Sequence, residues 1–468
     1  MSSPIPKSVI DELRTLVPDL AIVTPNSPDY EASIDRWFFL SVKRAGAVVF
    51  PITAAQVSLI LQFTRKNSIP IATKGGGHGI RGESSTEGGI VIDLSKMKGV
   101  RVEGSKIITR GGAIWCEVYD EAEKFGLAAV GGICPDVGVG GFLLHGGYGF
   151  LTSEHGLGMD NMLEVEVVLA DGSIVRASDH ENQDLFWAMK GAGGCFGIVT
   201  EFVLKGHQQK NEVWTGKMIF PRTALRAVTE MGNRVLESQN KGHSVLGHFW
   251  VYSPEGMMIE ATPFYNGPED EAKKFFAPLL ELNPVVNKAK MVPFSQSGAS
   301  ATAPGKWRKL SGARSMITPM NADFLEERMD EFEEFLNTVP DAREQSVVGF
   351  EIIGTRAIVS VKQNETAFAN RGKHSTVRII PVYSKEENDE VCKEWCLEME
   401  RKFQKDFEQR QKDPLLDEVT RSSTGLYLNY DGFGLSPNKI FGCNYERLVE
   451  LKKKYDPRNV FKNCVDLL

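Results

Sequence analysis

The stretch TKGGGHGIRGESS, Thr73 to Ser85, places one histidine inside a run of glycines. Glycine contributes no side-chain contacts and loses more backbone entropy on ordering than any other residue. A loop this bare therefore implies that something lies against its backbone. His78 is then the side chain offered to that neighbour. Gly77-His78-Gly79-Ile80-Arg81-Gly82 matches GxGxxG formally and follows the short apolar strand Ile69 to Thr73. A dinucleotide fingerprint requires a helix next, so that its N-terminus faces the pyrophosphate. Here "ESSTEGG" follows, and then another strand-like run, "GGIVIDLS". The required context is missing, which excludes a Rossmann fold.

Working outward, the chain of 468 residues is long enough for two domains. Apolar residues make up 42% and charged residues 25%, the balance of a globular protein with a large core. The net charge of −7 comes without a long basic run, which argues against nucleic-acid binding. No apolar run reaches the length of a membrane span, and the first twenty residues do not read as a signal peptide. The seven cysteines include no CxxC pair, so neither a zinc ribbon nor a thioredoxin motif is indicated. A cytoplasmic protein with reduced thiols is expected.

"AVVFPI" (47–52) predicts a buried strand, followed by a helix capped by Thr53 and running to Asn67. "GGIVIDLS" and "KIITRGG" predict strands on either side of a turn at Glu103-Gly104. Ile114 to Phe125 predicts a helix closed by Gly126, and Leu163 to Ser178 a hairpin turning at Asp171-Gly172. To Lys205 this is one glycine-dense α+β unit. From Gly206 to Arg421 glycine thins out. There "HFWVYS", "GMMIEATPFY", "VVGFEII", "AIVSVK" and "TVRIIPVYS" predict strands between charged helices, a second α+β unit. The tail from 422 predicts a strand in "TGLYLNYDG" and a helix from Tyr445 to Lys454.

Glycine clusters recur at "GGICPDVGVGGFLLHGGYG" (131–149) and "KGAGGCFGIVT" (190–200). Several separate bare-backbone segments suit an extended anionic ligand gripped by backbone N–H groups. They suit turns of a glycine-rich domain equally well, and composition alone does not choose.

The ordered motifs do choose. "KGGGH", "GICPDVGVGG", "GLGMDN", "DLFWAMKGAGGCFGIVT", "YLNY" and "DPRNVF" resemble, in order, those of the berberine-bridge-enzyme-like oxidases. These form part of the vanillyl-alcohol-oxidase (PCMH-type) superfamily. The resemblance runs from about Val48 to Lys205 and resumes from about Tyr427 to Phe461. Lys74, His145 and Cys195 depart from the usual arginine, glycine and asparagine. The implied fold is a two-domain α+β flavoprotein. Residues 1–205 and the return 422–468 would form the FAD-binding domain, and 206–421 a substrate domain with an antiparallel sheet.

The implied cofactor is FAD. The family's covalent histidine falls on His78, which would bond the flavin 8α carbon, and its second, cysteinyl attachment to C6 falls on Cys134. Further implied flavin contacts are Lys74, Gly75, Gly76, Gly77 and Gly79 in the first loop. They continue with Val137, Gly138, Gly140 and Gly141, then Gly146 and Gly147. Gly197, Ile198 and Val199 supply a third segment, and Tyr427 and Asn429 the tail. Val137 matches the position that controls oxygen access, where a small residue accompanies oxidase behaviour. Tyr430 matches the family's active-site tyrosine, and Glu351 its nearby acidic position; either is the base. As a strand, "YLNY" would put Tyr430 on the opposite face from Asn429 and Tyr427. An acid among apolar neighbours in "VVGFEIIG" is not a surface residue. Arg371 is read as a structural ion-pair partner. His145 and His155 flank a cofactor loop. His180, His207, His243, His248 and His374 show no ligand spacing.

The activity implied is oxidation of a small organic substrate, with O2 as the final acceptor. Two alternatives keep the cofactor: redox-neutral or oxidative cyclisation in secondary metabolism, and flavin binding without catalysis.

Overall fold

The computed structural model describes residues 5–238, 242–298 and 307–468. The N-terminal part carries two larger sheets and a short pairing of Leu127–Ala128 with His207–Gln208. The first has four strands in the order Ala21–Val23, Ala47–Phe50, Ile90–Asp93, Ile71–Lys74. The last three are mutually parallel, with Ile90–Asp93 in the middle. Parallel neighbours need a crossover, and helix Ala54–Lys66 provides one. The Thr53 hydroxyl accepts from the Gln56 N–H, the expected cap. Val57, Ile60, Leu61 and Phe63 pack it onto the sheet.

The second sheet is antiparallel: Val100–Glu103, Lys106–Arg110, Gly197–Lys205, Met162–Leu169, Ile174–Ser178. The Glu103-Gly104 turn exists, but it joins Val100–Glu103 to Lys106–Arg110. "GGIVIDLS" does not pair with "KIITRGG": its strand Ile90–Asp93 lies in the other sheet. A run of apolar residues buried on both faces is typical of a parallel strand, and Ile90, Val91 and Ile92 are all buried, as is Asp93 after them. Gly104 has φ +63 with open space where a Cβ would be, so it is there for its backbone conformation alone.

Residues from 213 onward build a nine-stranded antiparallel sheet. Its centre runs Gly256–Tyr265, Ser244–Ser253, Val347–Ile353, His374–Ile380. One face buries Trp250, Ile259, Phe350, Ile352 and Val377 against helices Leu225–Glu237, Ala322–Thr338 and Asp389–Arg410. Cys392 and Cys396 belong to this core. His248 is fully buried on the same face and accepts from the Trp250 indole at 3.2 Å; burial depresses its pKa to about 3. "AIVSVK" is not a strand. Arg356–Val359 is one helical turn anchored by Ile358 alone. Six residues are too few for alternation to separate strand from helix.

The C-terminal segment packs back on the first part. Leu428, Phe441, Leu448 and Val465 share a core with Trp115, Phe186 and Phe202. Within "YDPRNVF", Asp456 accepts from the N–H groups of Val460 and Phe461, and its Oδ2 lies 2.7 Å from Lys452 Nζ. Lys452 also donates to the Cys195 carbonyl. Both ions are fully buried, so each depends on the other. Arg371, likewise fully buried, forms a two-pronged pair with Asp160 at 2.6 and 3.0 Å. All seven cysteines are free of disulfides. Among the described residues no helix is long and apolar enough to cross a membrane, and no His, Cys, Asp and Glu cluster suits a metal.

Candidate active site

A cavity of about 850 Å³ lies between the glycine loops and the open face of the large sheet. Its glycines play two different parts. A Cβ on Gly76 would sit 2.4 Å from the Gly138 N, and one on Gly138 2.3 Å from the Gly76 N. These two glycines bring the His78 loop and the Cys134 loop into backbone contact. Gly75, Gly140 and Gly141 are the opposite case. A Cβ on the first two would approach nothing closer than the Gly111 carbonyl, at 3.9 and 3.7 Å, and on Gly141 nothing within 4 Å. They leave a stretch of cavity wall as bare backbone.

His78 lies in this wall beside Asp136, with Nε2 to Oδ2 at 3.4 Å. The imidazole holds the Asp136 carboxyl below its usual pKa, against the opposing effect of burial. The Trp37 ring stacks on His78, 5.5 Å between centroids and 17° from parallel. Lys309 Nζ sits 4.0 Å over the Trp37 ring. Cys134, two residues before Asp136, also lines the cavity. Burial pushes its thiol up to about 11, so it rests protonated.

The facing wall carries the ionisable cluster. The Tyr430 hydroxyl donates to Glu351 Oε1 at 2.8 Å. Arg378 lies with its guanidinium carbon 4.3 Å from the Tyr430 ring centroid, and NH1 3.9 Å from Glu351 Oε1. Burial raises the Glu351 carboxyl, against the pull of Arg378 and the Tyr430 hydrogen bond. Burial and the adjacent Glu351 charge push the Tyr430 phenol well above its ordinary value. Burial alone would lower Arg378, but Tyr430 and Glu351 hold it above its usual value. The cluster therefore sets a buried carboxyl, a phenol and a guanidinium in contact with one another.

"YLNY" is a 3-10 turn rather than a strand, with the Tyr430 N–H donating to the Tyr427 carbonyl. The turn cancels the expected alternation: Tyr427, Asn429 and Tyr430 all line the cavity. Asp431 closes the turn by accepting from the N–H groups of Phe433, Gly434 and Leu435, as Asp does in turns. The Tyr427 hydroxyl accepts from the Gly147 N–H and from the Asn429 amide, and Asn429 Oδ1 contacts His145 Nδ1 at 3.0 Å.

The cavity brings together His78, Cys134, Gly75, Gly76, Gly77, Gly79, Val137, Gly138, Gly140 and Gly141. Gly197, Ile198, Val199, Glu351 and His145 join them. Lys74, Gly146 and Gly147 are outside its wall. Lys74 pairs with Asp93 at 2.8 Å. Gly146 and Gly147, at φ +122 and +90, make room for the Phe368 and Phe142 rings. His155 does not line the cavity either; it stacks on His207 at 3.6 Å. Arg378, Trp37, Asp136 and Lys309 were not anticipated from sequence. Arg378 had a usable signal, an arginine inside the apolar alternation of "TVRIIPVYS". The stacking of Trp37 on His78 had none.

The chain matches the model "FAD binding domain" over residues 45–178 and "Berberine and berberine like" over 426–464. It is 31% identical to the FAD-linked oxidoreductase pgmH of Aspergillus terreus, an alignment covering 96% of this chain and 93% of that protein. The chain belongs to the berberine-bridge-enzyme-like family of FAD-linked oxidoreductases. Its fold is shared by solved structures, among them the following two. The 6-hydroxy-D-nicotine oxidase of Arthrobacter nicotinovorans superposes with a TM-score of 0.81 at 24% identity, covering 96% of this chain and 97% of that one. BBE-like 1 of Physcomitrella patens gives 0.82 at 21% identity, covering 98% and 99%. The residues of this oxidoreductase fit FAD. Its cavity is walled on one side by backbone that no side chain fills, and His78 and Cys134 both open onto it.

Proposed function

We propose that this oxidoreductase is an oxidase that dehydrogenates a small organic substrate and passes the electrons to O2, forming H2O2. The observation that carries this reading is the Tyr430–Glu351 hydrogen bond under Arg378, facing the glycine wall across one cavity. FAD, when bound, supplies hydride acceptance and electron return to dioxygen. The protein supplies the proton chemistry. Tyr430 takes the proton of the substrate hydroxyl or amine as it gives its own to Glu351, so the proton ends on the carboxylate and the phenol is neutral before and after. The raised pKa of Glu351 makes it a stronger base than an exposed glutamate. Arg378 offsets the charge that passes through the phenol oxygen.

His78 and Cys134 are proposed as two covalent anchors of the flavin. Their support is that both open onto the same cavity, on loops held together by the Gly76–Gly138 contact. Val137 is proposed to leave oxygen a path, because it is small and lines the same cavity. Anaerobic addition of substrate bleaches the flavin band, and readmitted air restores it with one H2O2 formed per turnover. Bleaching that air does not reverse would remove the oxidase reading.

A further inference from the structure

The cavity face of the large sheet has an unusual floor. Ser244–Ser253 and Val347–Ile353 pair so that Phe249 faces Gly349 and Gly247 faces Glu351. Gly256–Tyr265 adds Glu260 beside Phe249 and Thr262 beside Gly247, and His374–Ile380 adds Arg378 beside Gly349. A row therefore crosses the sheet as Glu260, Phe249, Gly349, Arg378. A side chain in a sheet ordinarily stands perpendicular to it. The Phe249 ring instead lies down. A Cβ on Gly349 would be 2.5 Å from its Cδ1, and one on Gly247 2.9 Å from its Cε2. Any other residue at either position would lift the ring. Phe249 is partly exposed and lines the cavity.

Charge occupies only the two ends of this floor. At one end Lys217 and Glu260 neutralise each other at 2.6 Å. At the other lies the Glu351, Tyr430 and Arg378 cluster. Between them Val251 and Val347 also line the cavity and offer no hydrogen bond; Thr262 and Gln345 are the uncharged polar side chains there. A polyhydroxylated substrate would leave the hydroxyls that lie over the Phe249 ring and the two valines unpaired. A flat aromatic ring would lose nothing and gain an offset stack. Glu351 is a diagonal cross-strand neighbour of Phe249, a separation of about 7 Å. That distance suits an oxidisable carbon borne directly on the stacked ring.

We infer that the substrate is an aryl carbinol or aryl methylamine, its ring lying on Phe249 and its hydroxyl or amine at Tyr430. This rests on the oxidase reading for the chemistry, but the ring site is testable by binding alone. The probes are 4-methoxybenzyl alcohol and 2-naphthalenemethanol, each paired with its ring-saturated analogue, with glucose and cellobiose beside them. Binding to the flavin-loaded protein is read from perturbation of the flavin spectrum, and reduction from anaerobic bleaching. The aryl members bind about 2- to 12-fold tighter than their saturated partners. Phe249→Ala removes that preference, and Phe249→Tyr retains it. Gly349→Ala, which lifts the ring without deleting it, weakens aryl binding as well. Saturated partners or sugars binding as tightly as the aryl probes would overturn the inference while leaving the oxidase reading intact. So would an unchanged aryl affinity in Phe249→Ala. Phe249-dependent aryl binding with no bleaching would sustain the ring site and overturn the aryl carbinol or amine as the compound oxidised.

Discussion

Tyr430 donates to Glu351 across 2.8 Å, linking the C-terminal turn to a strand of the large sheet. The two residues are 79 positions apart and meet only because the C-terminal return packs under that sheet. In the proposed relay this bond would set the polarity of proton movement from substrate to phenol to carboxylate.

Removing either member should slow flavin reduction far more than it weakens binding. Tyr430→Phe and Glu351→Gln each lower the reduction rate by roughly 10²- to 10⁴-fold, the range of general base catalysis. Stopped-flow bleaching measures this, and a loss confined to substrate affinity would contradict the relay.

The relay also requires Glu351 to be ionised. Burial raises its pKa, so activity rises with pH through a limb above that of an exposed glutamate. Arg378 opposes that rise. Arg378→Met therefore moves the acid limb to higher pH. The pH profile of the reduction rate reads the shift, and a limb that stays still or moves down would exclude Arg378 as the balancing charge.

Flavin attachment is read from acid-precipitated protein on a denaturing gel. Cys134→Ser keeps a fluorescent flavin band through His78, whereas His78→Ala loses it. A band that persists in His78→Ala would shift the main anchor to Cys134. The raised Cys134 pKa implies that its thiol must lose a proton to react, so its attachment is slower at low pH.

The Lys452–Asp456 pair predicts a large stability effect far from the chemistry. Lys452→Met strands a fully buried carboxylate, at a cost of about 3–5 kcal/mol. Urea denaturation followed by tryptophan fluorescence measures it, and a change near zero would mean that Asp456 finds another partner.

Much of the local structure is legible along the chain. Thr53 before an apolar periodic run marks its helix, and Asp171-Gly172 between alternating runs marks its hairpin. Where the reading failed, the segments were short. "AIVSVK" and "YLNY" are too brief for periodicity to decide, and Asp431 with its backbone acceptors turns the second one. Long-range pairing is beyond local pattern too: "GGIVIDLS" pairs with Ala47–Phe50 and Ile71–Lys74, strands that its own letters do not point to.

The sequence by itself determined the family and the cofactor class, because ordered motifs survive as strings. Tertiary structure alone decided which glycines serve the cavity. Gly76 and Gly138 join two loops, Gly140 and Gly141 leave open wall, and Gly146 and Gly147 make room for phenyl rings. All read alike as letters, because a glycine's role is defined by what occupies the space where its Cβ would be. The same holds for the places of Arg378 and Phe249 in the cavity wall. They come from cross-strand neighbours, and register is a property of the folded sheet.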